Sequence, residues 1–345
     1  MENFDSKILY YGQATWGSTS LQRYNVLKDI FSSIYLVDSR RVFPDKGSGR
    51  TLFNSLQVRL GVGRLVDLSS KILMQEVERY KPDLVWIDGG YLVDPSTIRH
   101  IKKRNIKVIH YTPDSLFAPG LSNSCFRKAI REYDHIVTTK TQDLNTYKKY
   151  KAKNILLSQQ GFDPSIHKKV ELNEEDLKFR SDVVFIGHCM KDRLKYIEYL
   201  LKHTEFKLKI FGTGWDAIKI PQSVKECFHG PALGIDYAKA INGSKICLGF
   251  LNNEAYDEIT TRSFEIPSSG GFLLAERTEQ HTNIFIEDVE AVFFSTEEEL
   301  VKKIQHYLNN DHERNTIRDK GYKRILNGNY SWNSLIRDIL IQVLD

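Results

Sequence analysis

Eleven short apolar runs, spread through the whole chain, constrain the fold more than any other feature of this sequence. The first six are Lys7–Tyr11, Ile34–Val37, Leu84–Ile87, Val108–Tyr111, His135–Thr138 and Ile155–Ser158. The other five are Val183–Ile186, Leu208–Phe211, Ile246–Phe250, Phe272–Leu274 and Ala291–Phe294. None alternates apolar with polar residues, so each reads as a strand covered on both faces, the habit of parallel sheets. Segments between them, such as Lys191–His203 and Thr296–Asn309, carry apolar residues at helical spacing. This alternation predicts a doubly wound α/β protein. The rhythm breaks over residues 161–180, a polar and charged stretch opened by Gly161 and Pro164. That stretch is expected to be a linker between two Rossmann-like domains, residues 1–160 and 181–328. Residues 329–345 predict a last amphipathic helix starting near Trp332, with Ser331 as N-cap, packing back across the domains. Two such domains facing each other would leave a central cleft at the carboxyl ends of their sheets, where open α/β sheets place ligands.

Composition supports this and narrows the class. A chain of 345 residues, 41% hydrophobic and 27% charged, can bury a core in each half. Cys125, Cys189, Cys227 and Cys247 show no metal spacing and sit in apolar contexts, so they read as reduced, buried thiols. The chain runs straight into its first strand without a signal-like apolar region. No apolar stretch approaches the roughly 20 residues that span a bilayer. A cytoplasmic location is expected. The net charge of +5 suits an anionic nucleotide, or loose peripheral attachment to an anionic inner membrane face. There is no Arg/Lys block interleaved with aromatics, which argues against nucleic-acid binding.

The segment richest in chemistry is residues 256–279, YDEITTRSFEIPSSGGFLLAERTE. It reads as a loop, a short helix near Thr261–Ser268, a tight Gly270–Gly271 turn and a buried strand. Thr260 or Thr261 would cap the helix, whose free backbone N–H groups suit a diphosphate. Arg262 can pair with phosphate oxygens, and Glu265, one turn on, can accept hydrogen bonds from a ribose diol. Gly187 ends a strand and is followed by Lys191 and Arg193, two cations suited to the same diphosphate. Gly212-Thr213-Gly214-Trp215 reads as a loop on the nucleotide-base side; it lacks the third glycine of the dinucleotide fingerprint.

The first half offers weaker signals. Gly17-Ser18-Thr19, before a helix bearing Arg23, reads either as a loop closing over the sugar–phosphate region or as an ordinary capped turn. Asp114, just past a strand end, is a candidate to orient an acceptor hydroxyl or act as a base. His110 is a candidate contact to the donor sugar, and Asp88 occupies a strand end of the same kind. There is no strand-end Asp-x-Asp; the nearest match, Asp288-Val289-Glu290, lacks the context. No metal is therefore expected, and the leaving diphosphate would be met by cations and a helix dipole. Metalloprotease, P-loop and serine-hydrolase motifs are missing as well.

Segment 256–279 resembles the donor-site signature of retaining glycosyltransferases of the two-Rossmann, or GT-B, type. Their Glu–x7–Glu pattern falls on Asp257 and Glu265, followed by a Gly-containing turn and an apolar strand. RSFEIPSSGGFLLAERTEQ and IFIEDVEAVFFSTEEELVKKIQHYLNND further resemble the C-terminal module of CgeB-like, spore-maturation-type glycosyltransferases. The similarity is weak in the first half and clear from about Ser181 onward. It implies transfer of a sugar from a nucleoside-diphosphate sugar to a hydroxyl acceptor, with retention, in cell-surface glycan or glycoconjugate synthesis. It also implies that Glu265 binds the ribose, that Asp257 lies near the donor sugar or phosphates, and that Arg193 and Lys191 contact the phosphates. Asp257 is one methylene shorter than the family's Glu. The acceptor stays open: a glycan, a lipid-linked sugar, a protein or a small molecule. Alternatives on the same fold are an epimerase or phosphorylase, a non-catalytic nucleotide-sugar-binding subunit, or transfer to modified bases in DNA.

Overall fold

A computed structural model describes residues 4–43, 52–90, 92–118 and 121–344. The chain forms two compact units, Met1–Gln159 with Trp332–Asp345, and Gln160–Ser331.

The first unit opens with strand β1 (Phe4–Gly12), helix α1 (Thr19–Ile30), β2 (Phe31–Asp38), α2 (Leu52–Leu60) and α3 (Arg64–Tyr80). It continues through β3 (Leu84–Asp88), α4 (Pro95–Lys102), β4 (Lys107–Thr112), α5 (Ser124–Ala129), β5 (His135–Thr138), α6 (Leu144–Lys149) and β6 (Asn154–Leu157). Its six strands form one sheet in the order β2-β1-β3-β4-β5-β6, and every pairing is parallel. Because side chains alternate across a strand, each buried run feeds two cores. Leu9, Tyr11, Val85, Ile87 and Val108 pack with α3, α4 and α5 on one face. Ile8, Tyr10, Trp86, Ile109 and Tyr111 pack on the other.

The second unit comprises β7 (Ser181–Ile186), α7 (Lys191–His203), β8 (Leu208–Phe211), α8 (Gln222–Glu226), α9 (Ile235–Asn242) and β9 (Ser244–Gly249). It goes on through α10 (Arg262–Ser268), β10 (Leu273–Glu276), α11 (Glu279–Ile284), β11 (Val292–Phe294), α12 (Glu297–Asn309) and α13 (Asp311–Leu326). Its sheet runs β11-β10-β9-β7-β8, again parallel throughout. All eleven apolar runs are strands, and both units are doubly wound as the sequence predicts. No helix among the described residues is long and apolar enough to cross a membrane.

Two local features, residues 161–180 and His110, depart from the sequence reading. Residues 161–180 are part of the second unit: Phe162 and Phe179 enter its core at 3% exposure each, and a capping box between Asn173 and Asp176 starts a short 3-10 turn. Two aromatic anchors suffice to dock a stretch that is otherwise polar. The last helix, α14 (Trp332–Leu344), belongs to the first unit, where Trp332, Ile336, Ile339 and Leu340 complete the core over α1. His110 is the second departure. It is fully buried on β4 between the rings of Phe126 and Tyr133, each with its centre 4.9 Å away, and neither ring nitrogen has a hydrogen-bond partner. Sugar contact is thus corrected: its side chain points through the sheet face into the helical layer and offers no surface to a ligand.

Ile336→Ala is expected to lower stability by about 2–5 kcal/mol, read from the urea midpoint; a change below about 0.5 kcal/mol would show that α14 is not integral to the core. Burial pushes the His110 imidazole down to about 3, with only the charge of Asp88 opposing it. Its folded pKa lies below its unfolded one, so the stability linked to its neutral form is present above about pH 6.5 and is lost as pH falls. His110→Leu is expected to flatten the acid limb of a stability–pH profile between pH 6.5 and 4 relative to the parent. An unchanged limb would contradict the buried, neutral assignment.

Candidate functional site

The site of the second unit grows from the ends of two adjacent strands, β7 and β9. Just past β9, the carbonyls of Phe250 and Leu251 each hold an arginine. Arg262, first residue of α10, donates Nη2–H to Phe250 O at 2.7 Å. Arg193, in the first turn of α7 and 5% exposed, donates from Nε to Leu251 O at 3.1 Å and from Nη1 to His188 O at 3.1 Å. Both guanidinium carbons lie 5.7 Å from the centre of the Phe185 ring. Neither arginine forms an ion pair with a carboxylate among the described residues.

A buried cation, Arg193, beside a half-buried one, Arg262, with no ion pair to either among the described residues, is an unfavourable arrangement, and Arg193 shows it. Burial first, then the neighbouring charge of Arg262, push its guanidinium down to about 9, while Asp257 and Glu276 pull the other way. Thr260 Oγ1 and Arg262 Nε are also buried with no hydrogen-bond partner. Buried polar groups are nearly always paired, so two orphans beside cations that lack an ion pair have the chemistry to meet an anionic, hydrogen-bonding ligand.

Glycine geometry makes room at this place. A Cβ on Gly212, whose φ is +137°, would fall 2.0 Å from the carbonyl oxygen of Gly187, so the loops after β7 and β8 meet backbone to backbone. Trp215, buried, donates its indole N–H to that same oxygen at 2.8 Å. A Cβ on Gly187 would stand 2.8 Å from the Phe185 ring and 3.4 Å from Arg262 Nη1.

The other sequence-derived candidates fall into place unevenly. Thr261 stands at the N-cap of α10 but makes no side-chain cap, and Thr260 makes none either, which corrects the capping expectation. Lys191 is exposed at the start of α7, outside the buried set. Asp257 is half-buried, close enough for its charge to act on Arg193. Glu265 is on α10 one turn past Arg262, its side chain 7% exposed. The Tyr237 hydroxyl donates to its Oε2 at 2.9 Å, and His167 Nε2 faces its Oε1 at 3.6 Å.

Position alone did not reveal the supports of this site. Glu276, at the end of β10, accepts the Leu251 N–H at 2.6 Å, so the Leu251 peptide links a half-buried carboxylate on one side to Arg193 on the other. His281 donates Nδ1–H to the Glu276 carbonyl at 2.7 Å, which leaves Nε2 to accept the Ser263 hydroxyl at 2.7 Å. That chain pins α10 to the end of β10. Tyr237, His167, Glu276 and His281 come from four separate segments, and no spacing in the sequence joins them.

The first unit carries a cavity of about 430 Å³ at the carboxyl ends of its strands, lined among others by Gln13, Ser20, Arg23, Asp88, Thr112 and Asp114. A buried ion pair floors it: Arg23 donates Nε–H and Nη2–H to Asp88 at 2.7 and 2.9 Å, and Tyr10 donates to the same carboxylate at 2.7 Å. Asp114 is exposed at the cavity wall. Gly17, at φ +83°, makes the turn that lets Ser18 cap α1 through the Leu21 N–H at 3.2 Å. Gly17 thus serves a capped turn, the plainer of its two readings.

Comparison with known proteins bears on this geometry. No curated protein sequence matches the chain. Several solved structures resemble it over nearly its whole length. They include the sucrose-phosphate synthase of Thermosynechococcus elongatus, at 12% identity and TM-score 0.67, covering 98% of this chain and 99% of that one. HepE of Anabaena, in complex with UDP and glucose, gives 11% and 0.65, covering 99% and 100%. A glycosyltransferase from Rickettsia africae gives 15% and 0.62, covering 99% and 100%. At such identities the likeness establishes the fold, which is that of GT-B glycosyltransferases. Residues 193–341, from Arg193 through the whole donor-like segment, match the family described as Glycosyl transferase-like.

Proposed function

We propose that this chain is a glycosyltransferase that moves a sugar from a nucleoside-diphosphate sugar to a hydroxyl acceptor, holding the donor diphosphate at Arg193 and Arg262. The observation that carries this reading is the pair of neighbouring guanidiniums, Arg193 buried and Arg262 half-buried, that form no ion pair with a carboxylate among the described residues. A diphosphate supplies the missing charge and can accept hydrogen bonds from both forks. As the glycosidic bond breaks, negative charge gathers on the departing phosphate, so fixed cations in a low-dielectric site stabilise the transition state more than the bound donor. The Glycosyl transferase-like match over residues 193–341 supports the reaction class. The UDP and glucose in the HepE structure support a nucleotide-sugar donor.

Within this reading Glu265 accepts hydrogen bonds from the ribose diol, and Asp257 adjusts the charge around the donor sugar and phosphates. Gly187 and Gly212 let the backbone approach the ligand, while Thr260, Thr261 and Lys191 complete its rim. The two guanidiniums supply the charge that a divalent ion would otherwise provide, so transfer is proposed to be metal-independent. Retention of configuration and the CgeB-like subtype follow from the sequence resemblance, as does a role in cell-surface glycan or glycoconjugate synthesis. The cavity of the first unit, walled by hydroxyl, amide and charged groups, is assigned to the acceptor, with Asp114 orienting or deprotonating its hydroxyl. A cytoplasmic enzyme, free or peripheral on the inner membrane face, fits this role.

The test is a thermal-shift screen of the purified chain against UDP, GDP, dTDP, CDP and ADP, with Mg²⁺ or with EDTA. One nucleotide is expected to stabilise the protein by about 2.7 kcal/mol at a hundredfold excess over its Kd, equally in both conditions. Arg193→Gln and Arg262→Gln are each expected to weaken that binding by about 10- to 100-fold. No shift with any nucleotide would contradict the donor site.

A further inference from the structure

The donor-site reading gives Glu265 a task, and the structure surrounds it with groups that the reaction itself does not use. Glu265 is a carboxylate in the second unit's interior, and a carboxylate has acceptor capacity for about four hydrogen bonds. One oxygen, Oε2, takes the Tyr237 hydroxyl at 2.9 Å, from the N-terminal half of α9. The other, Oε1, faces His167 Nε2 at 3.6 Å, from the segment that precedes β7. The tautomer of His167 follows from its second contact. The Asp163 backbone N–H donates to Nδ1 at 3.0 Å, so in the neutral ring Nε2 carries the proton on the side that faces Glu265, in a polar contact longer than a hydrogen bond. The His167 and Tyr237 rings pack edge to face with centres 5.0 Å apart, which fixes each donor relative to the other. Tyr237 and His167 are 9% and 3% exposed.

We infer that Tyr237 and His167 are positioning residues for Glu265. They clamp its carboxylate so that the unclaimed lone pairs stay aimed at a vicinal diol, and they make ribose recognition a property of three segments rather than of α10 alone. This inference rests on the donor-site reading. His167 lies outside residues 193–341, so the stretch matched by the Glycosyl transferase-like family contains the acceptor of this clamp but only one of its donors. Residues 160–180 thereby gain a role beyond joining the units: they deliver a side chain to the donor pocket. A mobile carboxylate would still attract a diol, with rotamer freedom to lose on binding; a clamped one has already lost it.

Calorimetry on the full chain tests this, using UDP, GDP and ADP and the 2′,3′-dideoxy counterpart of each. For the nucleotide that binds, the parent protein is expected to favour the ribose form by about tenfold or more, and Glu265→Gln to erase that preference. Tyr237→Phe and His167→Ala are each expected to narrow the preference to about threefold while leaving dideoxy affinity unchanged. His167→Gln, which keeps an N–H donor at that place, is expected to restore it. Should Tyr237→Phe and His167→Ala keep the full preference while Glu265→Gln loses it, the positioning role is wrong and the donor site stands. Equal losses for ribose and dideoxy forms would reveal a merely structural role and overturn the inference too. If no nucleotide binds, or Glu265→Gln leaves the preference intact, the donor-site reading fails and takes the clamp with it.

Discussion

Two neighbouring like charges, one buried and one half-buried, are the constraint around which the site of the second unit is arranged. Arg193 and Arg262 stand against one aromatic ring, and both are tied to carbonyls just past β9. Repulsion and lost hydration oppose this placement, and backbone carbonyls offset only part of the opposition. The surroundings are built to hold it all the same. β7 and β9 are neighbours, the Gly187–Gly212 contact sets the loops, Glu276 grips the Leu251 peptide, and the Ser263–His281 bond anchors α10. Within the proposed function, a charge fixed this firmly is an interaction held ready for the donor diphosphate.

The first unit shows the contrast. Arg23 is as deeply buried as Arg193, and burial alone would lower its pKa as well. Asp88, bonded to it twice, reverses the sign and holds Arg23 well above its ordinary range. Its guanidinium also stacks over Tyr111 and Trp332, at 4.5 and 5.0 Å from their ring centres. That cation is balanced and structural: it ties α1, β3, β4 and α14 together at the base of the cavity. Of these two arginine arrangements, the one in the second unit is the one without an ion pair to a carboxylate among the described residues.

Most of the architecture was legible because a strand buried on both faces has no polar alternation, so each of the eleven runs announced itself. The two arginines were legible too, since a cation just past a buried strand, or at the start of a helix, has few places to go in a parallel sheet. Orientation across the sheet was harder to read. His110 and Tyr111 are adjacent near the end of β4, yet alternation sends His110 into the helical layer and Tyr111 toward Arg23, while Thr112 and Asp114 reach the cavity. Residues 161–180 misled through composition, because two aromatics anchor a stretch that is mostly charged. The environment of Glu265 could not be read at all: Tyr237 and His167 lie 28 and 98 positions away, and only the folded chain brings them together.

A diphosphate site at Arg193 and Arg262 would separate nucleotides that differ by one phosphate. Calorimetric titration of the full chain with UDP against UMP, and GDP against GMP, isolates that group. The diphosphate of the preferred base is expected to bind at least about tenfold more tightly than its monophosphate, and the gap is expected to close in the Arg193→Gln/Arg262→Gln double variant. Equal affinities in the parent protein, or a gap that survives the double variant, would contradict the account.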